Sequence, residues 1–425
     1  MLLRKAAICT GVLEPAARGS VLPLSVSLGK IMASGRIASR TTRADKRSIP
    51  GAAVGSRFRA AHASGGPWPA LVKACFDQLT PLPPGATLGF LYVTDALAGD
   101  LANILAVLRE RTRIANWVGS VGLGICSPGR ETYECPGLTV MVAALPVDDF
   151  HVFSPVAGAQ QDFSPEVRSW IARRRPSVGV VHADPRCTDI ENAIASVSAR
   201  SSAFLVGGVT SARRFPLQIA GRTAEGGISG VLLTQDIVVA AGLSQACSRI
   251  GPVHSITEAR DNVVVAIDGR PALDVLKDEI GELLSRDMRK VPGRIFAGFP
   301  ITDADSDEFL VRNLLAIDAE RKRLAVRRTV ATGDRILFCR RDPQNAVTDL
   351  KRMLHDIRQQ SGCVPQAALY FSCVMRGANL FGPESQELGL IRAALGDIPL
   401  VGFFANGEIS NSRLHEYTGA LALFL

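Results

Sequence analysis

The chain lacks the features of a membrane-spanning or disulfide-rich secreted protein. No run of about 18 apolar residues occurs, so no transmembrane helix is expected. Nine cysteines are scattered without a Cys-x-x-Cys pair, which argues against a disulfide framework and against a cysteine-rich zinc site. The six histidines form no His-x-x-x-His pair, and neither a metal nor a cofactor is predicted. This cysteine usage indicates a reducing, cytoplasmic location.

Acidic residues are scarce at one end of the chain only. Residues 1–64 contain eleven Lys or Arg but only Glu14 and Asp45 as acids, which accounts for the formal net charge of +8. The rest of the chain is nearly neutral, so no nucleic-acid partner is expected. The composition of residues 1–64 predicts a disordered basic extension. A transit peptide and a true start at Met32 or later are the alternatives.

The remaining residues repeat one pattern three times. Each copy has an apolar strand, an amphipathic helix, a strand containing Val-Gly and a third apolar strand, at residues 88–145, 178–233 and 367–425. Because a helix joins the first two strands, we expect them to be parallel in a right-handed crossover. The second and third strands are expected to pair antiparallel. The pattern predicts an α/β (α+β) fold of mixed β-sheets covered by helices.

Several elements are predicted outside the three copies. Ordered structure is expected to begin with a helix near residue 67, and residues 150–163 are expected to form a loop. A helix at 272–284 would open a second domain, with Pro271 at its first turn. Asp342 is the predicted N-cap of a helix at 343–359. The other predicted strands are at 237–243, 253–267, 310–315, 323–330 and 336–339.

Polar residues follow two strands of the third copy. Arg376 comes after the first strand, beside the start of a helix, and both features favour a carboxylate. Glu408 comes after the second strand and could bind an ammonium group. Together they predict a pocket for an amino-acid-like zwitterion. Two alternatives are that Arg376 and Glu408 pair with each other, and that Glu384 and Glu387 only satisfy the helix dipole.

The predicted ligand-binding residues are Cys373, Arg376, Gly377, Glu387, Phe403, Asn406, Gly407 and Glu408. Three aromatic residues are expected to form an apolar wall or the core behind it: Phe371, Phe403 and Phe404.

Two further functions are compatible with the residues. Cys373 could be a nucleophile with His415 as its base, in an acyl transferase or hydrolase, although a buried unreactive cysteine is commoner. The three-copy body could instead be a protein-interaction scaffold. The glycines at 118–124 are not predicted to bind a nucleotide, since no helix and no Gly-Lys-Ser/Thr follows them.

The chain resembles the FIST (F-box and intracellular signal transduction) family over roughly residues 68–425. The matching residues in the middle of the chain are Ser244 to Cys247, Gly251, Thr257, Asp268 to Leu273, Leu310 to Asn313, Gly333, Asp334, Phe338, Arg341, Asp342, Asp349 and Leu350. Those near the end are Phe371, Ser372, Cys373, Arg376, Gly377, Glu387, Gly402 to Phe404, Gly407 to Ile409, His415 and Thr418.

The resemblance implies two modules, a FIST N-terminal module at 65–270 and a FIST C-terminal module at 271–425. It implies a sensory domain that binds a small ligand, with amino acids or their derivatives favoured, and no established enzymatic activity. No F-box, kinase, receptor or cyclase segment is present, so signalling is expected to pass through a separate partner. Two stretches depart from the family pattern: 119–123, which lacks the usual threonine and acid, and 245–249.

Overall fold

Three units of the same construction surround a shared apolar core. The computed structural model describes residues 56–281, 288, 291–301 and 308–425. Each unit has a strand, a helix, a second strand, a second helix, a third strand, a hairpin and a final strand. The first unit consists of β1 (Phe58–Ser64), α1 (Trp68–Leu79), β2 (Leu88–Thr94), α2 (Leu101–Thr112), β3 (Asn116–Gly122), β4 (Gly124–Ser127), β5 (Arg130–Tyr133) and β6 (Gly137–Ala143).

The second unit repeats this order without interruption. It consists of β7 (Phe150–Val156), α3 (Pro165–Arg174), β8 (Pro176–Ala183), α4 (Ile190–Ser201), β9 (Phe204–Val209), β10 (Gln218–Ala220), β11 (Arg222–Ala224) and β12 (Ile228–Thr234). Short 3₁₀ helices lie at Asp95–Asp100 and Val147–Asp149, and a third lies later in the chain at Gly377–Asn379.

The third unit begins with β13 (Val239–Gln245) and is then interrupted by a separate sheet. The inserted elements are β14 (Cys247–Arg249), β15 (His254–Arg260), β16 (Val263–Ile267), β17 (Arg270–Pro271), α5 (Ala272–Ile280), β18 (Ile295–Pro300), β19 (Phe309–Asp318), β20 (Arg323–Val326) and β21 (Arg335–Arg341). Six of these strands pair in a closed antiparallel circuit, in the order β21, β15, β16, β20, β19, β18 and back to β21.

The third unit resumes after this insertion. Its remaining elements are α6 (Pro343–Ser361), β22 (Ala367–Cys373), α7 (Gln386–Leu395), β23 (Leu400–Ala405), β24 (Glu408–Ser410), β25 (Arg413–His415) and β26 (Thr418–Phe424). The predicted N-cap of α6 is confirmed, since the Asp342 carboxylate accepts hydrogen bonds from the backbone amides of Gln344 and Asn345.

The units exchange their hairpins in a cycle. Hairpin β10–β11 of the second unit pairs with β3 of the first, β24–β25 of the third pairs with β9 of the second, and β4–β5 of the first pairs with β23 of the third. The resulting sheets have the orders β1-β6-β2-β3-β10-β11, β7-β12-β8-β9-β24-β25 and β13-β26-β22-β23-β4-β5. Each sheet therefore contains strands from two units, which ties the units together.

The exchange explains where the predicted pairing was wrong. The parallel pairing of the first two strands of each copy is confirmed in all three units. The third apolar strand of each copy pairs antiparallel with the first strand, and not with the second as predicted. The free edge of each second strand is instead occupied by the hairpin of another unit.

The repeated Val-Gly pair has a packing cause. A Cβ atom at Gly119, Gly207 or Gly402 would lie 1.8, 1.8 or 1.7 Å from a backbone carbonyl oxygen of the neighbouring parallel strand. Only glycine allows this close approach of the two strands, which accounts for glycine at the same place in each unit.

The inner faces of the three sheets form one central core. Tyr92, His182 and Phe371 occupy equivalent positions, and their ring centroids lie 5.5 to 6.2 Å apart. Phe403 contacts all three rings. The outer faces of the sheets pack separately against their own helices, so each sheet is buried on both sides.

Two segments predicted as irregular are strands. Phe58–Ser64, placed in the disordered extension, pairs with β6 as an edge strand, and Phe150–Val156, predicted as a loop, pairs with β12. Each of these strands pairs with a strand far along the chain, and local composition does not reveal such a pairing. The rest of the predicted extension, residues 1–55, and residues 282–284 of the predicted helix lie outside the described residues.

Two other predictions concern the middle of the chain. Pro271 is the N-cap of α5 and not its first helical residue. The module boundary after residue 270 stays a prediction; Arg270 and Pro271 both belong to β17. Among the described helices, none is long and apolar enough to cross a membrane.

Candidate functional site

Arg376 lies in a buried polar cluster on the helix side of the third sheet. Its guanidinium pairs with Glu387 at 2.7 Å, and both side chains are 0% exposed. It also donates to the carbonyl and hydroxyl oxygens of Ser244 and contacts the Tyr370 hydroxyl. Burial is the largest single effect and opposes the charge of Arg376, but Glu387, Tyr370 and Glu408 together outweigh it and raise the pKa of the guanidinium.

Glu387 is equally well satisfied. Its carboxylate accepts hydrogen bonds from the Tyr370 hydroxyl at 2.6 Å, from Ser372 and from the backbone amide of Gly377 at 2.8 Å. The predicted role of Arg376 as an open carboxylate receptor therefore needs correction, because its donors already bind within the protein. Glu387, beyond neutralising the helix dipole, is the partner of Arg376.

The β4–β5 hairpin of the first unit covers this cluster. Tyr133 donates to Glu131 at 2.9 Å and packs on Phe404, and the Glu131 amide donates to Ser385 before α7. Gly377 has a φ of +52°, and a Cβ atom there would lie 2.0 Å from the Tyr133 hydroxyl oxygen. The hairpin above it thus accounts for glycine at position 377.

Two carboxylates meet at this contact. Burial, with the Glu387 charge nearby, raises the pKa of Glu131 to about 7, despite smaller opposing effects of Tyr133 and of the backbone amides of Leu388 and Ala378. The Oε1 atom of Glu131 is buried without a hydrogen-bond partner in the described structure.

Glu408 lies on the other side of the third sheet, facing the central core. It starts β24, in register with Gly208 of β9, which is in register with His182 of β8. Because paired residues of adjacent strands project to one face, Glu408 and His182 share the inner face of the second sheet. The Oε2 atom of Glu408 accepts from the amide and hydroxyl of Thr418, at 3.1 and 2.7 Å.

The second oxygen of Glu408 is different. The residue is 0% exposed, and within the described chain its Oε1 atom has no hydrogen-bond partner. Burial raises the pKa of Glu408 well above its ordinary value, against the smaller effects of Thr418 and of the Arg376 charge. Burial therefore favours the neutral form of this carboxyl, and a cation placed against Oε1 would favour its ionised form.

The other predicted site residues are divided between these two places. Phe403 belongs to the central core, whereas Phe404 faces the helix side. Asn406 is exposed, and its backbone amide donates to Val209 at 2.9 Å. Gly407, with a φ of +119°, forms the turn that leads to Glu408. The structure thus brings together Arg376, Gly377 and Glu387, and separately Asn406, Gly407 and Glu408.

Cys373 is poorly placed for nucleophilic chemistry. Its side chain is buried, and burial together with the Glu408 carboxyl raises the pKa of the thiol well above its ordinary value. Burial lowers the pKa of His415 to about 4, and in the described part of the chain no hydrogen bond joins His415 to Cys373.

His182 is a buried polar residue that the sequence patterns did not single out. Its Nε2 atom lies 3.1 Å from the Tyr92 hydroxyl, and burial lowers the pKa of the ring to about 3. Glu131 and Tyr133 were also missed. They lie about 250 residues before α7 in the chain, and no local signal links them to it. Among the described residues, no group of three His, Cys, Asp or Glu could hold a metal ion.

Comparison with known proteins assigns two domains to the chain. A model of the FIST N domain matches residues 87–270 and a model of the FIST C domain matches residues 272–411. An uncharacterized protein of Mycobacterium tuberculosis is 30% identical over 191 residues, which cover 43% of this chain and 50% of the relative. An uncharacterized protein of Mycobacterium bovis is 31% identical over 192 residues, with the same shares.

The chain thus spans about half the length of the curated relatives it matches. The two domain models lie next to each other and together cover well over half of the chain. FIST domains are associated with signal transduction. The chain belongs to the FIST family, with a FIST N domain followed by a FIST C domain.

Proposed function

We propose that this protein is a sensor that binds a small ligand carrying an ammonium group, with amino acids and their derivatives as the first class to test, and that it signals through a separate partner. The observation that carries the proposal is the Oε1 atom of Glu408, buried without a hydrogen-bond partner in the described structure. A buried polar atom that has no partner costs about 1–3 kcal/mol. An ammonium donor would remove that cost.

The position of Glu408 supports a binding role. Glu408 lies just after the carboxyl end of β23, and α/β folds commonly bind ligands at this edge of a sheet. Its neighbour Thr418 already fixes Oε2, so Oε1 is the atom left to receive a donor. A cation at Oε1 would favour the ionised carboxylate, and binding would release a proton near neutral pH.

Arg376 has a different role in this proposal from the one expected from the sequence. Because Glu387 neutralises it, Arg376 contributes no free positive charge for a ligand carboxylate. The ammonium group at Glu408 is therefore the primary recognition element, and a ligand carboxylate would lie toward the exposed side chain of Asn406.

Access to Glu408 requires movement of one turn. Residues Asn406 and Gly407 are held to Val209 by two backbone hydrogen bonds, both of 2.9 Å. Opening them would expose Glu408 from the side of Asn406. Closure of the turn over the bound ligand would restore these hydrogen bonds, so hydrogen exchange at Asn406 and Val209 should slow when the ligand binds.

A thermal-shift screen tests the proposal. The panel contains amino acids, the amines that correspond to them without the carboxylate, and their N-acetyl forms, which lack a positive charge. A ligand at 100 times its dissociation constant stabilises the protein by about 2.7 kcal/mol. We expect ammonium compounds to raise the melting temperature and N-acetyl forms to have no effect.

Two variants locate the site. Glu408→Gln should abolish the ligand-dependent shift, because a neutral amide cannot ionise to bind an ammonium ion. Glu131→Gln is the matched control, since it changes a second carboxyl with an unpartnered oxygen, on the helix side of the sheet. If no ammonium compound stabilises the protein, or if Glu408→Gln leaves the shift unchanged, the proposal is wrong.

The cysteine-dependent enzyme is the weaker candidate. Burial keeps the Cys373 thiol protonated, and among the described residues no hydrogen bond joins it to His415, so the two residues do not form a nucleophile–base pair there. A thiol probe that labels Cys373 faster than the exposed Cys363 at pH 7 would reverse this ranking.

A further inference from the structure

A groove runs between helices α6 and α7 on the outer surface of the third unit. It has a volume of about 520 Å³. Its floor is apolar and its walls carry positive charge without any acid. The residues that line it are Lys351, Leu354, His355, Arg358, Gln359, Leu390, Ala393 and Ala394.

The basic residues of α6 form one stripe. Lys351, His355 and Arg358 are spaced i, i+4 and i+7, which places them on one face of the helix. Arg358 donates to the backbone oxygen of Ala394 at 2.6 Å and so bridges the two helices. Lys351 and His355 have no hydrogen bond or ion pair with any described residue, so their side chains are available to a partner.

The acids nearby are already paired away from the groove. Arg352 binds both acids of α6, Asp349 at 2.7 Å and Asp356 at 3.2 Å. Arg392 of α7 binds Asp397. The positive stripe is therefore uncompensated, although the chain after residue 64 is nearly neutral as a whole.

The corresponding helix of the first unit lacks this property. On α1, Lys73 pairs with Asp77 at 2.6 Å, one turn away. An uncompensated basic face is thus not a general feature of the repeated unit. It distinguishes the third unit from the first, and in the third unit the first turn of α7 also carries Glu387, the buried partner of Arg376.

We propose that the α6–α7 groove binds an acidic amphipathic helix of the signalling partner. A helix laid in the groove would place its apolar residues on Leu354, Leu390 and Ala393, and its acidic residues beside Lys351 and His355. The flanking charges would set the orientation and speed the encounter. This inference rests on the proposed function in one respect: the protein that supplies the helix is taken to be the signalling partner.

The test uses a fluorescent peptide and requires no small ligand, so its outcome is independent of the Glu408 experiment. The probe is an amphipathic peptide of about 16 residues with leucines spaced i, i+3 and i+7 and glutamates on its flanks. Its control has lysines in place of the glutamates. Anisotropy is measured with the full chain at two salt concentrations.

We expect the glutamate peptide to bind and the lysine peptide not to bind, with weaker binding at the higher salt concentration. The double variant Lys351→Glu/His355→Glu should weaken binding at least about tenfold, since it removes the positive charge of Lys351 and places two carboxylates beside the glutamates of the peptide. Lys73→Glu, on the equivalent helix of the first unit, should leave the affinity unchanged.

A third variant tests the groove itself. Ala393→Phe fills it without altering charge and should also prevent binding. Circular dichroism confirms that each variant is folded. The proposal is overturned if the glutamate peptide does not bind, if the lysine peptide binds as well, or if either groove variant binds like the wild type.

Discussion

Two buried carboxylates with opposite properties lie on the two sides of the third sheet, Glu387 of α7 and Glu408 of β24. Glu387, on the helix side, has a full set of donors from Arg376, Tyr370, Ser372 and the chain itself. Glu408, facing the central core, is equally buried but keeps one oxygen without a partner in the described structure. A satisfied buried carboxylate holds the fold together, whereas an unsatisfied one is a candidate for binding.

The comparison also shows that a charged residue at a predicted site is not thereby available to a ligand. Arg376 and Glu387 were both among the predicted ligand-binding residues, Arg376 because it follows a strand end beside the start of a helix. Their mutual pairing removes them from that role. The buried carboxyl of Glu408, with one oxygen unpartnered in the described structure, offers more to a cationic ligand than a neutralised ion pair does.

The largest expected effect comes from removing Glu387. Glu387→Ala leaves the Arg376 guanidinium buried without a countercharge, and should lower the free energy of unfolding by about 3–5 kcal/mol. Glu408→Gln should change it by less than about 1 kcal/mol, because an amide resembles the neutral carboxyl in shape. Urea unfolding measures both. Equal losses would show that the two carboxylates have the same structural role.

A smaller effect is expected from the glycine that lets the strands approach. In Gly402→Ala the added Cβ would lie 1.7 Å from the Tyr370 carbonyl oxygen, so β22 and β23 must move apart. The expected loss is about 1–3 kcal/mol or more. The control is Gly389→Ala in α7, where an added Cβ atom would have no atom within 4 Å apart from the backbone of its own helix. This variant is expected to raise the free energy of unfolding by about 0.5–1 kcal/mol. If Gly402→Ala left the free energy of unfolding unchanged, the close approach of β22 and β23 would be contradicted.

The smallest effect concerns pH and the helix side. The pKa of Glu131 is raised to about 7, above its unfolded value of 4.5. The folded state thus binds more protons between these values, and this group's contribution to stability, complete below pH 4.5, is lost as pH rises toward 7. Relative to the wild type, Glu131→Gln should be more stable at pH 8 than at pH 5, by on the order of 1 kcal/mol. Urea unfolding at the two pH values measures this difference; an unchanged difference would count against the raised pKa.

Much of the fold could be predicted from local patterns. The three copies, their parallel strand pairs and the cap at Asp342 follow from apolar periodicity and from residue preferences that act within a few positions. The hairpin exchange could not be predicted. The short strands β4, β10 and β24 pair with other units, and their sequences carry no information about which sheet edge is free.

For the candidate site too, local patterns indicated which residues are polar, but they did not show how distant residues pack around them. The polar residues at the ends of β22 and β23 were predicted to face one shared pocket. Their division between two faces depends on side-chain direction, and the engagement of Arg376 depends on Ser244, over 100 residues earlier. Family resemblance identified Arg376 and Glu408 together and did not separate structural from binding roles.

The most direct test of the central claim is a proton count on binding. Isothermal titration calorimetry in two buffers of different ionisation enthalpy measures the protons released when the tightest ammonium ligand of the panel binds at pH 7. Ionisation of Glu408 predicts the release of close to one proton per ligand by the wild type, and no such release by Glu408→Gln. Binding without proton release by the wild type, or equal release by both proteins, would contradict the account.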